Sequence, residues 1–367
     1  MKTTYLLLCL LGIGSVSGAG QTKQPQKIGD FIESTSYNEH RRNATRSLQY
    51  TPDGDDFVCI NGKNRFTRAL YGSHTAFRLE TSDRPVFAAY TKENPKHICF
   101  KMQTSGGTVA LDSTEHCESR YTAGRRSYSL SDPAFGGGSL SITTWALPDK
   151  EGAIWQFNAR NFKEFHPVLL ASISEIRNSK LNRNGDMGAD PADSFEAPLQ
   201  PQQLQSFPVQ IDGTLYILLE NQELRTLTTA EGENLFKKAE AARSETASRI
   251  RIETPDPYFN TLGGTLAMAA DGIWDGEVWL HGAIGWRMPL SGWRAAYTGD
   301  VLGWHDRART HFNAYAASQV TEVPNTLPHP AQDSALHLAR SVKKWGTPQY
   351  SNGYICRNPN RNNQMHH

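Results

Sequence analysis

Net charge is almost absent from this chain. Its 38 basic and 37 acidic side chains leave a formal charge of +1 at pH 7. Proteins that hold nucleic acid or an anionic membrane through their surface field carry a strong basic excess, so neither partner is expected. Cysteine is scarce as well, at five residues in 367. No C-x-x-C spacing occurs, which argues against a zinc cluster or a thioredoxin-type centre. No His-x-x-x-His pair with a nearby Glu occurs either, so no metal is expected. A Gly-x-Ser-x-Gly elbow is missing, and Gly136-Gly137-Gly138-Ser139 lacks the Lys of a phosphate loop and reads as a strand turn. No cofactor is expected. Long apolar runs are lacking too, and mean hydropathy is −0.55.

The longest apolar run, Tyr5 to Ile13, is too short to span a bilayer. Lys2 precedes it, and Ser15, Ser17, Gly18 and Ala19 follow. This is the form of a secretory signal over residues 1–19, cut near Ala19. The protein is therefore expected to be exported, to a periplasm or the medium. Cys9 lies inside the leader and lacks the preceding small residue of a lipid-anchor site. Cys59, Cys99, Cys117 and Cys356 remain, and four cysteines allow three pairings. Cys99 and Cys117 are the nearest pair and read as lying on neighbouring strands; unpaired buried thiols are the alternative.

Residues 20–47 are polar and irregular, and include a glycosylation-type triplet at Asn43-Ala44-Thr45. From about Leu48 to residue 227 the texture is short and strand-like: FVCING, RPVFAAY, HICFKM, TVALD, SLSITTWAL, AIWQFNAR, TLYILLE. Turn clusters such as Pro52-Asp53-Gly54-Asp55 separate these runs. Many short strands predict an antiparallel β-sandwich. The polar loop 178–200 carries Asn182, Asn184 and Asp186 at alternate positions, like a calcium loop, but the closing Glu is missing.

The pattern changes near Thr228. Thr228-Thr229-Ala230-Glu231 has the capping-box form, and good helix formers follow. A linker helix is expected over 228–254. Pro255 and Pro257 then mark a boundary. Helical stripes follow at Leu262, Leu266, Ala269, Ala270 and Ile273, at Trp304, Ala308, His311, Phe312 and Tyr315, and at Ala335, Leu338, Ala339 and Val342.

Between the first two stripes lies a stretch rich in tryptophan. Five of the eight tryptophans fall from Trp274 to Trp304, interleaved with Arg, Asp, Glu and Gly. Indole beside arginine and carboxylate suits a cleft with flat apolar walls and polar ends, as a saccharide needs. The competing reading is a Trp-rich core beneath a loop. His281 and His305 flank the stretch and read as hydrogen-bonded structural residues.

The segments DPYFNTLGGTLAMAADGIW and GWRMPLSGWRAAYTGDVLGWHDRA carry a resemblance. The first resembles the opening toroid helix, and the second the following loop and helix, of exported bacterial six-hairpin glycosidases related to α-L-rhamnosidases. The chain is more similar to a bacterial polysaccharide-degradation family of unassigned activity than to a characterised enzyme. The resemblance covers roughly residues 48–367; WRMPLSGWRAAYTGD is moderately specific, and the sandwich is not.

It implies a multi-domain protein: sandwich at 48–227, linker helix at 228–254, and the start of an α/α toroid at 255–367. By position, Trp286, Arg287, Trp293, Arg294, Tyr297 and Asp300 would hold the terminal sugar. Arg294 would fork onto hydroxyls or a uronate, and Asp300 would accept hydroxyl protons, unless the two form a buried ion pair propping the loop. Glycoside hydrolysis needs two carboxyl groups, and the window offers Asp271, Asp275, Glu277, Asp300 and Asp306. The resemblance favours inversion and places the general acid beyond His367. A closed toroid needs about twelve helices, or ~300 residues, whereas 111 follow Asp256, so the chain is expected to stop inside the ring and to be inactive alone. Two alternatives stand beside this hydrolase of polysaccharide side chains. One is a non-catalytic carbohydrate binder with Trp145 and Trp155 of the sandwich as its platform. The other is a polysaccharide lyase using Tyr297 and Arg294.

Overall fold

Alternation along the strands builds two antiparallel sheets. In the computed structural model, residues 50–62, 66–72, 74–90, 96–162, 167–175, 204–280 and 296–317 are described; all lie in the unit that begins at Gln49. The eight-stranded sheet runs β1 (Thr51–Asp53), β2 (Asp56–Ile60), β8 (His116–Thr122), β9 (Arg125–Ser131), β10 (Ser139–Ala146), β11 (Gly152–Arg160), β14 (Thr214–Glu220), β15 (Glu223–Leu227). The seven-stranded sheet runs β13 (Gln205–Pro208), β12 (Val168–Glu175), β6 (Lys96–Thr104), β5 (Val86–Tyr90), β4 (His74–Ser82), β3 (Phe66–Gly72), with β7 (Gly107–Ala110) paired to β6.

The inner faces of both sheets share one core. Phe87 of β5 meets Tyr128 of β9 and Trp155 of β11 edge to face, at 5.9 and 5.4 Å. Phe100 of β6 meets Trp155 and Phe157 at 5.7 and 5.1 Å. Such pairs add to the burial of large apolar rings. The Asp-Gly turn read in the sequence joins β1 to β2, with Gly54 at φ 60°.

Helix α1 (Thr229–Ala247) starts where the capping box sets it. The Thr228 hydroxyl accepts from the Glu231 amide at 3.3 Å, and the Glu231 carboxylate accepts from the Thr228 amide at 3.0 Å. The helix ends sooner than the expected 254; residues 248–256 are not helical. It lies on the outer face of the eight-stranded sheet, where Leu235, Phe236 and Ala239 cover Trp145, Ile154, Tyr216 and Leu218. Strands β10, β11 and β14 thus bury apolar side chains on both faces where the helix covers them.

Beyond the linker come α2 (Pro257–Asn260), capped by Asp256, then α3 (Leu262–Gly272), a helical turn at 296–301, and α4 (His305–Ala317). The expected stripe on α3 holds in part: Leu262 packs on the sandwich core, and Ala270 and Ile273 pack on the cluster of Trp274, Trp279 and Trp304. Leu266 and Ala269 are exposed, and Gly263, Ala267, Met268 and Gly272 are buried. The reason is close approach: a Cβ at Gly263 would meet the Ile250 carbonyl, at Gly264 the Ala123 and Ala247 side chains, and at Gly272 the Tyr71 ring. The stripe on α4 holds better, with Trp304, Ala308 and His311 buried and Phe312 partly exposed.

Cys99 and Cys117 are not strand neighbours. Cys99 lies on β6 and Cys117 on β8, in different sheets, because the chain crosses between sheets after β7. Among the described residues Cys59, Cys99 and Cys117 are all thiols, and burial pushes Cys99 and Cys117 up to about 12, which makes them poor nucleophiles. No described helix is long and apolar enough to cross a membrane. The leader, Asn43, the 178–200 loop, His281, the 335–342 stripe, Cys356 and the rest of the expected toroid lie outside the described residues.

Candidate functional site

The Trp-rich stretch divides. Trp274, Trp279 and Trp304 are buried with Ala296, Leu302 and Ala308 in one cluster. The indoles of Trp274 and Trp279 lie 4.6 Å apart, and that of Trp304 lies 6.4 Å from Trp279. For these three the core reading holds. The polar end of Trp279 is satisfied inside: its Nε1 donates to the Ala270 carbonyl at 3.0 Å, and its backbone amide donates to His311 Nδ1 at 3.0 Å. Trp286, Arg287, Trp293 and Arg294 lie outside the described residues.

Tyr297 and Asp300 are described, and the 296–301 turn orients both. Ala296, Gly299 and Leu302 face the cluster, and Tyr297, Thr298, Asp300 and Val301 face outward. A Cβ on Gly299 would overlap the Trp279 ring, so the turn sits directly on that indole. Tyr297 is 56% exposed, its ring 5.9 Å from that of Phe312. Together with Thr298, Val301 and Leu302 it forms one wall of an open groove of about 580 Å³. Arg249, Ile250 and Arg251 form the other wall.

The two arginines differ in freedom. Arg249 donates to the Leu302 carbonyl at 2.8 Å and lies over the Trp304 ring at 5.0 Å, so it ties the walls together. Arg251 is 88% exposed at its side chain and meets only an equally exposed Glu253, at 3.9 Å, an ion pair of negligible strength in water. Its guanidinium is available to a ligand.

Asp300 Oδ1 lies 2.6 Å from His305 Nδ1, within hydrogen-bond distance. The pair is exposed and bridges the turn between residue 301 and α4, so Asp300 is not in a buried ion pair. Asp271, Asp275 and Asp306 each have a partner within the chain. Asp271 binds Arg307 at 2.6 Å, and that guanidinium stacks over Trp304 and Trp274 at 4.8 and 5.7 Å. Asp275 accepts from the amides of Glu277 and Val278 at 2.9 and 2.7 Å, closing a tight loop. Asp306 meets Arg309 at the surface, 3.1 Å away.

Trp145 and Trp155 cannot serve as a platform. Both are buried, Trp145 beneath α1 and Trp155 between the sheets. The alternation that placed them on strands does not reveal that one strand is covered on both sides. The groove residues Arg249, Ile250, Arg251 and Thr298 escaped the sequence reading; only the Arg-Ile-Arg-Ile pattern after the helix hints at a wall with one face in and one out. Among the described residues no group of His, Cys, Asp and Glu side chains gathers to hold a metal ion.

No curated protein matches the chain. Residues 95–249 match a family model described as a domain of unknown function, DUF4450; the match runs from the start of β6 to the end of the linker helix and stops at the edge of the groove.

Proposed function

We propose that the protein is a glycoside hydrolase, or the N-terminal part of one, that acts on polysaccharide side chains with inversion. In this reading the sandwich and α1 are a support, and the helices after Pro257 begin a toroid whose rim grips the terminal sugar. One observation carries it: an exposed tyrosine ring, an exposed guanidinium and a threonine hydroxyl line one groove, with Asp300 on the same outward turn as Tyr297. A pyranose presents a C–H face to an aromatic ring and hydroxyls to charged or polar groups, and that pairing of apolar wall with few polar groups is the usual make-up of a small-ligand site.

The test is a panel of rhamnose-, arabinose- and glucuronate-capped oligosaccharides offered to the exported chain. Calorimetry should show binding that weakens about tenfold or more, roughly 1.4 kcal/mol, in Tyr297→Ala and in Arg251→Ala. Release of reducing sugar with inverted anomeric configuration, assayed on the protein with its complete toroid, supports the hydrolase. A folded chain that binds none of the panel overturns the proposal, and so does an unsaturated uronide product detected by its ultraviolet absorbance, the signature of a lyase.

A further inference from the structure

A second set of cavities lies at the open end of the sandwich, on elements that contribute nothing to the Tyr297 groove. Strands β14 and β15 are joined by a two-residue turn, Glu220 pairing with Glu223 across it. The turn residues are Asn221 at φ 52° and Gln222 at φ 65°. Such a turn needs left-handed backbone at both positions, and the usual choice is Asn followed by Gly. Gln222 is therefore strained where a glycine would be relaxed. Strain kept where a simpler residue would remove it points to a use for the side chain.

The side chains of this turn line two adjoining cavities of about 310 and 440 Å³, which share Lys96, Asn221 and Gln222. The first is floored by Phe77, Ala89 and Leu219 and edged by Glu151. The second adds Ile173, Ser174, Gln205 and Glu223. Each falls in the size range of small-molecule sites; the first has the apolar floor usual for them, and the second is lined mainly by polar groups around Ile173.

The lining selects the ligand. Carboxamides of Asn221, Gln222 and Gln205 each donate and accept at once, as does the Ser174 hydroxyl; hydroxyl-rich ligands need partners that do both. Charge argues against an anion. Lys96 brings one ammonium, already 3.5 Å from the Glu175 carboxylate, and Glu151 and Glu223 add two more acids. Nearby Glu220 is balanced by Lys150 at 2.7 Å and Arg225 at 3.6 Å. A uronate or phosphate would meet net repulsion here, and an uncharged polyol would not.

We infer that the sandwich end at Lys96, Asn221 and Gln222 is a binding site for a neutral saccharide unit, separate from the Tyr297 groove. It would let the sandwich hold a glycan by itself.

Saturation-transfer NMR and calorimetry on the full chain test this, using neutral gluco-, xylo-, arabino- and galacto-oligosaccharides beside oligouronates as probes. The expected result is binding of at least one neutral probe, with the oligouronates weaker. Gln222→Gly should melt at or above the wild-type temperature, because it relieves the turn, yet bind about tenfold or more weakly. Lys96→Met should also weaken binding, and Tyr297→Ala should leave it unchanged. A chain that binds a neutral probe here but none of the capped oligosaccharides at the Tyr297 groove would sink the hydrolase and leave this site standing. Absence of binding to every neutral probe, or wild-type binding by both Gln222→Gly and Lys96→Met, overturns the inference.

Discussion

The indole Nε1 of Trp145 donates to Glu240 at 2.8 Å, tying β10 to helix α1. Glu240 also receives Arg243 at 2.5 Å, and Arg125 stands 3.4 Å away. Burial opposes ionisation of this carboxylate, but the hydrogen bonds from Arg243 and Trp145 outweigh it and hold the pKa below its usual value. The helix is thus fastened by a partly shielded, charge-assisted contact.

Trp145→Phe should keep the ring against Phe236 and remove the donor. A loss of about 1–3 kcal/mol is expected in urea unfolding at neutral pH. Glu240→Gln carries the pH test. A depressed carboxylate pKa gives stability that is present above the ordinary value of 4.5 and is lost as pH falls through the folded value. The gap between wild type and Glu240→Gln should therefore narrow on acidification below about 4.5; a gap independent of pH would show that the carboxylate's charge is not its source.

Gly232→Ala opposes propensity to packing. Inside a helix, alanine gains about 1 kcal/mol over glycine. Here the added methyl would overlap the buried Tyr216 ring, whose hydroxyl is held by Gln156 at 2.8 Å. Overpacking costs typically about 1–3 kcal/mol, so the variant should melt lower than wild type. A higher melting temperature would mean that α1 rides loosely on the sheet.

His97 should make the protein acid-sensitive. It is 2% exposed, and burial lowers its pKa to about 4. Between the unfolded value near 6.5 and the folded value the unfolded chain binds more protons, so stability rises with pH across that window. Acidification from pH 7 to 4 should remove on the order of 3 kcal/mol through this residue alone, read by denaturant midpoints. His97→Gln should flatten that slope, and an equal slope in both proteins would assign the sensitivity elsewhere.

Trp279→Ala should be among the costliest single changes outside the sandwich. Its ring is 1% exposed and touches Trp274, Trp304 and His311. A loss of about 3–5 kcal/mol is expected, along with the near-ultraviolet circular dichroism of the cluster. A loss below ~1 kcal/mol, in the range of surface substitutions, would show that the cluster does not organise the helices.

Local chemistry was legible in the sequence, and tertiary choice was not. The capping box at Thr228 and Glu231, the Asp-Gly turn and the strand runs depend on neighbours a few residues apart, and all are found. The buried side of α3 depends on glycines seated against Ile250, Ala123 and Tyr71, which no count of large apolar residues detects. Tryptophan density favoured a cleft over a core. For Trp274, Trp279 and Trp304 the outcome turned on partners such as His311, 32 positions along. Asp300 was singled out as a ligand for hydroxyls, and its neighbour His305 is what the structure adds.

The margins of the two sheets have a bearing on how the chain behaves in company. Among the described residues the outermost strands are β1, β15, β13 and β3, together with the four-residue β7 that pairs only with β6. The first three have only three, five and four residues, and β3 is broken by two shifts of register. Among the described residues, then, each border is too brief or too uneven to template a foreign strand, which is how β proteins escape cross-chain fibril growth. Crowded beside its own copies, the described part of the sandwich is guarded against the stacking to which open sheets are prone.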